Sequence, residues 1–209
     1  MAGNHNTVDP NPYLEVFFNY VEQIIHLPEC DRELCRQTFF PVLMEKDTML
    51  EYAGNIPRYH NFIVSGHMRN FHINEEGEEI TVDLNDGPRF FTSYQAFVQQ
   101  TVSNEYLHCI TDCVILRISK QNADYTAGIS LTQKDYSIKL FQQLLEEEKQ
   151  RIHDFAHLTA EQRYLKLMRD KPAIIKNVPL KFIASYLGVQ PESLARIRKG
   201  ISCRGEITI

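Results

Sequence analysis

One stretch limits what this chain can fold into more than any other: Pro179-Leu-Lys-Phe-Ile-Ala-Ser-Tyr-Leu-Gly-Val-Gln-Pro-Glu-Ser-Leu-Ala-Arg-Ile-Arg-Lys-Gly200. It reads as two short helices joined by a tight turn. Ile183 and Leu187 share one face of the first helix, and Leu194 and Ile197 form the inward face of the second. Ala184 is small enough for a close crossing of the pair, and Gly188 supplies the left-handed residue that ends the first helix. Pro191 stands where a helix tolerates it, because the N–H it lacks would be unpaired there anyway. Gln190 before it is a poorer cap than Ser or Asp. With Leu194 and Ile197 turned inward, Gln190, Glu192, Ser193 and Arg196 lie on the exposed side of the second helix.

Those residue types suit the edges of base pairs. Arg pairs bidentately with guanine O6 and N7, Glu accepts from cytosine N4, and Ser or Gln reaches bases or phosphates. Lys181, Arg198, Lys199 and Lys176 are better placed for phosphate contacts. An ordinary helical hairpin with solvated charges would share part of this pattern, so the distribution of charge matters. Residues 157–209 hold 10 Lys+Arg against 4 Asp+Glu, a net +6, whereas residues 1–156 hold 12 against 23, a net −11. The total of −5 therefore hides a basic C-terminal module on an acidic body. That asymmetry is expected where one end meets phosphates and the rest stays off them.

Upstream, the periodicity changes twice. Asn11 to Leu27 carries Leu14, Phe17, Phe18, Val21, Ile24 and Ile25 at helical spacing and is closed by Pro28. From about Thr38 to Ser119, short runs of Val, Ile, Phe and Thr alternate with polar residues, as in Ile80, Val82 and Leu84, and turn residues separate them. Asn74-Glu75-Glu76-Gly77 reads as a hairpin turn, and strands of this length and spacing imply an antiparallel roll, barrel or sandwich. Tyr136 to Ala156 is then one long helix whose Ile138, Phe141, Leu145, Glu148, Ile152 and Phe155 recur at steps of three and four, with Leu144 widening the stripe. Either this stripe packs on its own domain or it pairs two chains; its position between two modules favours pairing, with Glu148 at an interface edge. A further helix spans Ala160 to Asp170 and stops at Lys171-Pro172.

No run approaches a membrane span, and the polar start, Met1 to Asn11, lacks the apolar stretch of a signal peptide, so a cytoplasmic protein is expected. Cys30, Cys35, Cys109, Cys113 and Cys203 are odd in number and irregularly spaced, which favours reduced thiols over a disulfide framework or a metal or iron–sulfur site. His60, His67, His72 and His108 fall on or near strands, where surface or core roles outweigh metal or haem ligation. No nucleophile elbow, glycine-rich phosphate loop or H-E-x-x-H motif is present, so neither an enzyme nor a bound cofactor is expected.

Three stretches resemble the Crp-Fnr family of cyclic-nucleotide-type regulators over nearly the whole chain. They are Ile183-Ala-Ser-Tyr-Leu-Gly188 with Pro191-Glu-Ser-Leu-Ala-Arg-Ile-Arg198, Leu158-Thr-Ala-Glu-Gln-Arg-Tyr-Leu-Lys-Leu-Met168, and the glycine-spaced Gly54, Phe62-Ile-Val-Ser-Gly66, Met68-Arg69 and Glu76-Gly77-Glu-Glu-Ile80. The resemblance implies an α+β chain: an antiparallel β-roll at 1–130 with N-terminal helices, a dimerisation helix at 131–157, and an all-α helix-turn-helix domain at 158–209. It also implies a homodimer on palindromic duplex DNA, with RNA polymerase as a partner and Glu192 and Arg196 at the base-reading positions. Pro191 departs from the Arg of the best-known member, so a different half-site is expected. The strand pair that many members carry before the helix-turn-helix is missing, since only Pro172 to Val178 separates the two elements.

The family's cyclic-nucleotide binders hold phosphate with a Gly-Glu pair and an Arg followed by Ser or Thr. The corresponding positions here are Thr92-Ser93 and Ser103-Asn104, and neither charged anchor is present. A buried cyclic phosphate needs a cation or aimed N–H donors, so tight binding of cyclic AMP is not expected. A different small-molecule effector, an empty roll on a constitutive DNA binder, and a protein-interaction module whose helix-turn-helix no longer reads DNA remain open at this point.

Overall fold

The computed structural model describes residues 9–204; residues 1–8 and 205–209, at the outer ends of the two expected terminal domains, lie outside the described residues. The first described elements are α1 (Asn11–Glu22) and α2 (Glu29–Thr38). α1 buries Leu14, Phe17, Phe18 and Val21 and ends five residues short of the expected Leu27. Ile24 and Ile25 lie instead in a turn whose N–H groups both reach the Val21 carbonyl.

Eight strands follow: β1 (Phe39–Met44), β2 (Met49–Glu51), β3 (Tyr59–Ser65), β4 (Met68–Ile73), β5 (Glu79–Asn85), β6 (Arg89–Phe90), β7 (Tyr106–Cys109) and β8 (Cys113–Ser119). They form two four-stranded antiparallel sheets, ordered β1-β8-β3-β6 and β2-β7-β4-β5. Alternation along the strands sets the layers. Ile63 and Ile115 point between the sheets with Met68, Leu107 and Cys109, while Phe62 and Leu116 point outward against α1. Gly66 turns β3 into β4 at φ +102°, and a Cβ there would sit 2.5 Å from both the Asp112 carbonyl oxygen and Cys113 Sγ. In β5, Asp83 pairs with Asn70 and Thr81 with Phe71, so Val82 is an extra, bulged residue.

The short α3 (Tyr94–Gln99) lies between β6 and β7, and α4 (Lys120–Ile129) leaves β8 with Ser119 accepting from the Asn122 N–H as its cap. The long α5 (Gln133–His157) starts three residues before the expected Tyr136. Asp31 of α2 fixes that start. Its carboxylate accepts from the N–H groups of Leu131 and Thr132 and from the hydroxyls of Ser130 and Thr132, which holds its pKa below the usual carboxylate value despite burial.

Four helices follow among the described residues: α6 (Ala160–Asp170), α7 (Pro172–Asn177), α8 (Leu180–Tyr186) and α9 (Pro191–Cys203). A Thr159–Gln162 capping box starts α6. Pro172, which ends α6, also begins α7 as its first residue. The short span between α6 and α8 is thus a helix, and, as its length implied, no strand follows β8 among the described residues. Tyr164, Leu167, Ile174, Ile183, Leu187, Leu194 and Ile201 make one core, to which the roll contributes Leu84 and Ile110.

Candidate nucleic-acid interface and the roll cavity

α8 and α9 are joined by the turn that the sequence predicts. Gly188 has φ +68°, its N–H bonds to the Ser185 carbonyl, and the Val189 N–H bonds to the Ala184 carbonyl. This closes α8 with two of its last carbonyls satisfied. Ala184 is fully buried at the crossing, and a Cβ on Gly188 would come 3.0 Å from the Phe155 ring of α5. Leu194 and Ile201 seat α9 on the core.

Gln190, Glu192, Arg196 and Lys199 are exposed, while Ser193 and Arg198 are half-buried. The Arg196 guanidinium donates to the Ser193 hydroxyl at 3.2 Å, which keeps it on the outer face of α9. Lys181 lies elsewhere. Its ammonium sits 4.8 Å from the Phe182 ring centroid, and its charge bears on His108 of the roll, so it belongs to the side of α8 that meets the roll.

On α5, Ile138, Phe141, Leu145, Ile152 and Phe155 are 41–69 % exposed. Five apolar side chains on one stripe of a helix are unusual on a free surface. Two of them also touch the rest of the chain: Phe141 packs on Tyr94 at 5.0 Å, and Phe155 lies under Gly188 with the Arg163 guanidinium 4.6 Å from its ring. Glu148 is exposed.

The four positions aligned with the phosphate loop do not converge. Thr92 Oγ1 accepts from the Asn61 N–H at 2.8 Å and contacts His60 Nδ1 at 3.2 Å. Ser93 precedes α3, buried and without a side-chain capping bond. Ser103 Oγ accepts from the Glu105 N–H at 3.0 Å, and Asn104 is exposed. Thr92 lines a cavity of about 780 Å³ between the roll, α3 and the α4–α5 pair, whereas Ser103 lines a separate groove of about 750 Å³ beside Glu51 and Arg117.

Glu51, Asn61 and Arg117, which drew no attention in the sequence, meet inside the roll. Glu51 Oε1 accepts from Asn61 Nδ2 at 2.7 Å, and Asn61 Oδ1 accepts from Arg117 Nε at 2.9 Å. Ser93 lies near the carboxyl group, yet Oε2 makes no hydrogen bond of ordinary geometry. Burial raises the Glu51 pKa to about 7. Burial alone lowers that of His60 to about 3. Across the roll, Arg69 is 2 % exposed, bonded to Glu79 at 2.5 Å and His108 at 3.1 Å, with its guanidinium 3.9 Å from the Phe71 ring and 3.7 Å from the Phe182 ring of α8.

No group of three or more His, Cys, Asp or Glu side chains among the described residues could hold a metal ion, and none of the described helices is long and apolar enough to cross a membrane.

No protein-family profile matches the chain, and no curated protein does. Solved structures match its shape. The c-di-GMP-responsive global regulator CLP, which links cell–cell signalling to virulence gene expression in Xanthomonas campestris, superposes with a TM-score of 0.65 at 16% identity, over 85% of this chain and 93% of its own. FixK2 of Bradyrhizobium japonicum gives 0.64 at 16% identity, over 82% and 88%. A protein of Eubacterium rectale, described as a transcriptional regulator of the Crp/Fnr family, gives 0.66 at 15% identity, over 88% and 87%.

Proposed function

We propose that this chain, which has the fold of the Crp/Fnr regulators, is a sequence-specific DNA-binding transcription regulator acting as a homodimer. The observation that carries the reading is the exposed α9 face of Gln190, Glu192, Arg196 and Lys199, held outward by a complete two-helix turn on the basic end of an acidic chain. Glu192 and Arg196 read base edges, Ser193 positions Arg196, and Arg198 and Lys199 meet phosphates. Ile138, Phe141, Leu145, Ile152 and Phe155 pair α5 with its copy, which sets two α9 helices one helical turn of DNA apart. RNA polymerase is the downstream partner, and the roll modulates the spacing of the two helices.

Selection from a random duplex pool at near-physiological salt tests this. A palindrome with half-sites about one helical turn apart is the expected product. Arg196→Ala weakens binding to that site by roughly 1–3 kcal/mol and relaxes preference at one base pair per half-site. An unchanged preference in the variant would remove Arg196 from the reading role.

A further inference from the structure

We infer that the groove between the β2–β3 and α3–β7 loops binds a monocarboxylate with an apolar body, its carboxylate seated on Arg117. The groove, about 750 Å³, is of the size that holds small organic ligands, and it shares no lining residue with the cavity beside α5. Hydrogen bonds between the loops fix its walls. The Gly54 N–H donates to the Ser103 carbonyl at 2.8 Å, the Ser103 N–H donates to the Asn55 carbonyl at 2.9 Å, and Gln100 Nε2 donates to the Pro57 carbonyl at 3.2 Å. A site held in this way needs little ordering when it fills.

Arg117 of β8 is the anchor. Its Nε donates to Asn61 Oδ1 at 2.9 Å, and its guanidinium lies 4.8 Å from the Tyr59 ring centroid. Among the described residues its two Nη groups have no hydrogen-bond partner and no carboxylate stands at ion-pair distance from them. They open on the groove rather than being sealed among other side chains. Desolvation by the roll lowers the Arg117 pKa, as happens to a cation that has lost water without gaining a full counter-charge. Glu51, the acid on the groove wall, is turned to Asn61 at 2.7 Å instead, and burial keeps it protonated up to about pH 7. The guanidinium is therefore left for an incoming anion to neutralise.

The shape of the anchor and the character of the walls select the class of anion. The planar fork of Nη groups takes a carboxylate through two parallel hydrogen bonds. Tyr52, Ile56 and Val102 are exposed along the same groove, and with Leu50 and Pro57 they offer apolar surface for an organic body to cover. A phosphate dianion fits less well, because its second charge would stand beside Glu51 with the exposed Arg58 at the rim as its further cation. No residue of α5 lines the groove, so binding is independent of the helix pair and of the DNA reading proposed above.

Titration calorimetry on the full chain, below pH 7 so that Glu51 is protonated, tests the inference with 2-naphthylacetate, its neutral primary amide and 2-naphthyl phosphate. The carboxylate is expected to bind one equivalent per chain with a dissociation constant of about 1 mM or below. The amide should bind about tenfold more weakly, and the phosphate no more tightly than the carboxylate. Arg117→Met removes the fork and should bring the carboxylate down to the affinity of the amide, whose own binding is kept. Val102→Asp, at an exposed position on the groove, sets a negative charge at its mouth; it should weaken the carboxylate about fivefold and leave the amide unchanged. If Arg117→Met does not fold, Val102→Asp decides. A carboxylate that binds more weakly than about 1 mM, an amide of equal affinity, a phosphate that binds more tightly, or a carboxylate indifferent to Val102→Asp overturns the proposal.

Discussion

Glu51 sits at the end of β2 with its carboxyl between the sheets, bonded to Asn61 and near Arg117. Its pKa near 7 lies above the 4.5 of an ordinary carboxyl, so the native state holds a proton that the unfolded chain has released. The stability this contributes is fully present below about 4.5 and is lost as pH rises to about 7. In Glu51→Gln that loss is gone. Between pH 5 and pH 8 the variant should gain on the unaltered chain by an amount approaching roughly 3 kcal/mol, read from denaturant unfolding at each pH. Parallel profiles would place the Glu51 carboxyl in water. His60 works the other way, its low pKa removing stability as pH falls from 6.5 towards 3, but it does so in both proteins and cancels. Glu51 was not legible beforehand, and His60 was legible only as a surface or core residue. A glutamate beside Leu50 reads as the solvent face of a strand, and a lone histidine on a strand reads as an ordinary surface or core residue. What distinguishes them is which side of a sheet they face, and that depends on pairing between segments far apart in the chain.

At the scale of elements, helices were legible where the sequence carries an apolar stripe at helical spacing. α6 begins and ends at the expected residues, α5 is three residues longer at its start, and the Gly188 turn sits where the spacing put it. They were missed where that periodicity is weak. α2, Glu-Cys-Asp-Arg-Glu-Leu-Cys-Arg-Gln-Thr, is mostly charged and polar, and it is held by tertiary bonds such as those of Asp31. α4 depends on the Ser119 cap, and α7 begins on a proline that looked like a stop. The α5 stripe makes its own prediction. Ile152 is 69 % exposed and outside the apolar cores of the described residues, so Ile152→Glu should leave the monomer folded while placing an unpaired charge in the proposed helix pair. Sedimentation should show dimer association at least about 100-fold weaker, on the order of 3 kcal/mol. A variant that dimerises as before would assign the stripe to another contact.

Taken as a whole molecule, the roll and the C-terminal helices are joined by a small polar seam around one cation. Arg69 lies between Phe71 of the roll and Phe182 of α8, with Glu79 and His108 as its hydrogen-bond partners. Arg69→Met keeps the aliphatic stem and removes the charge. It should cost about 2 kcal/mol and speed amide hydrogen exchange in β5 and α8 together while the far strands β1 and β8 keep their protection. Unchanged exchange in α8 would show that the apolar contacts of Leu84 and Ile110 hold the joint alone. Beside that cation, Ser185 of α8 accepts from the Thr81 N–H and donates to the Glu79 carbonyl, and Arg151 of α5 donates to the carbonyl of the bulged Val82. β5 is the last strand of its sheet, and an uncovered outer strand is a template for pairing with any other chain. The C-terminal half therefore acts as a stopper on the sheet. Any rearrangement that swings α8 away bares backbone that invites edge-to-edge aggregation, so the freedom of the two halves to move apart is bounded by the need of the protein to stay dispersed.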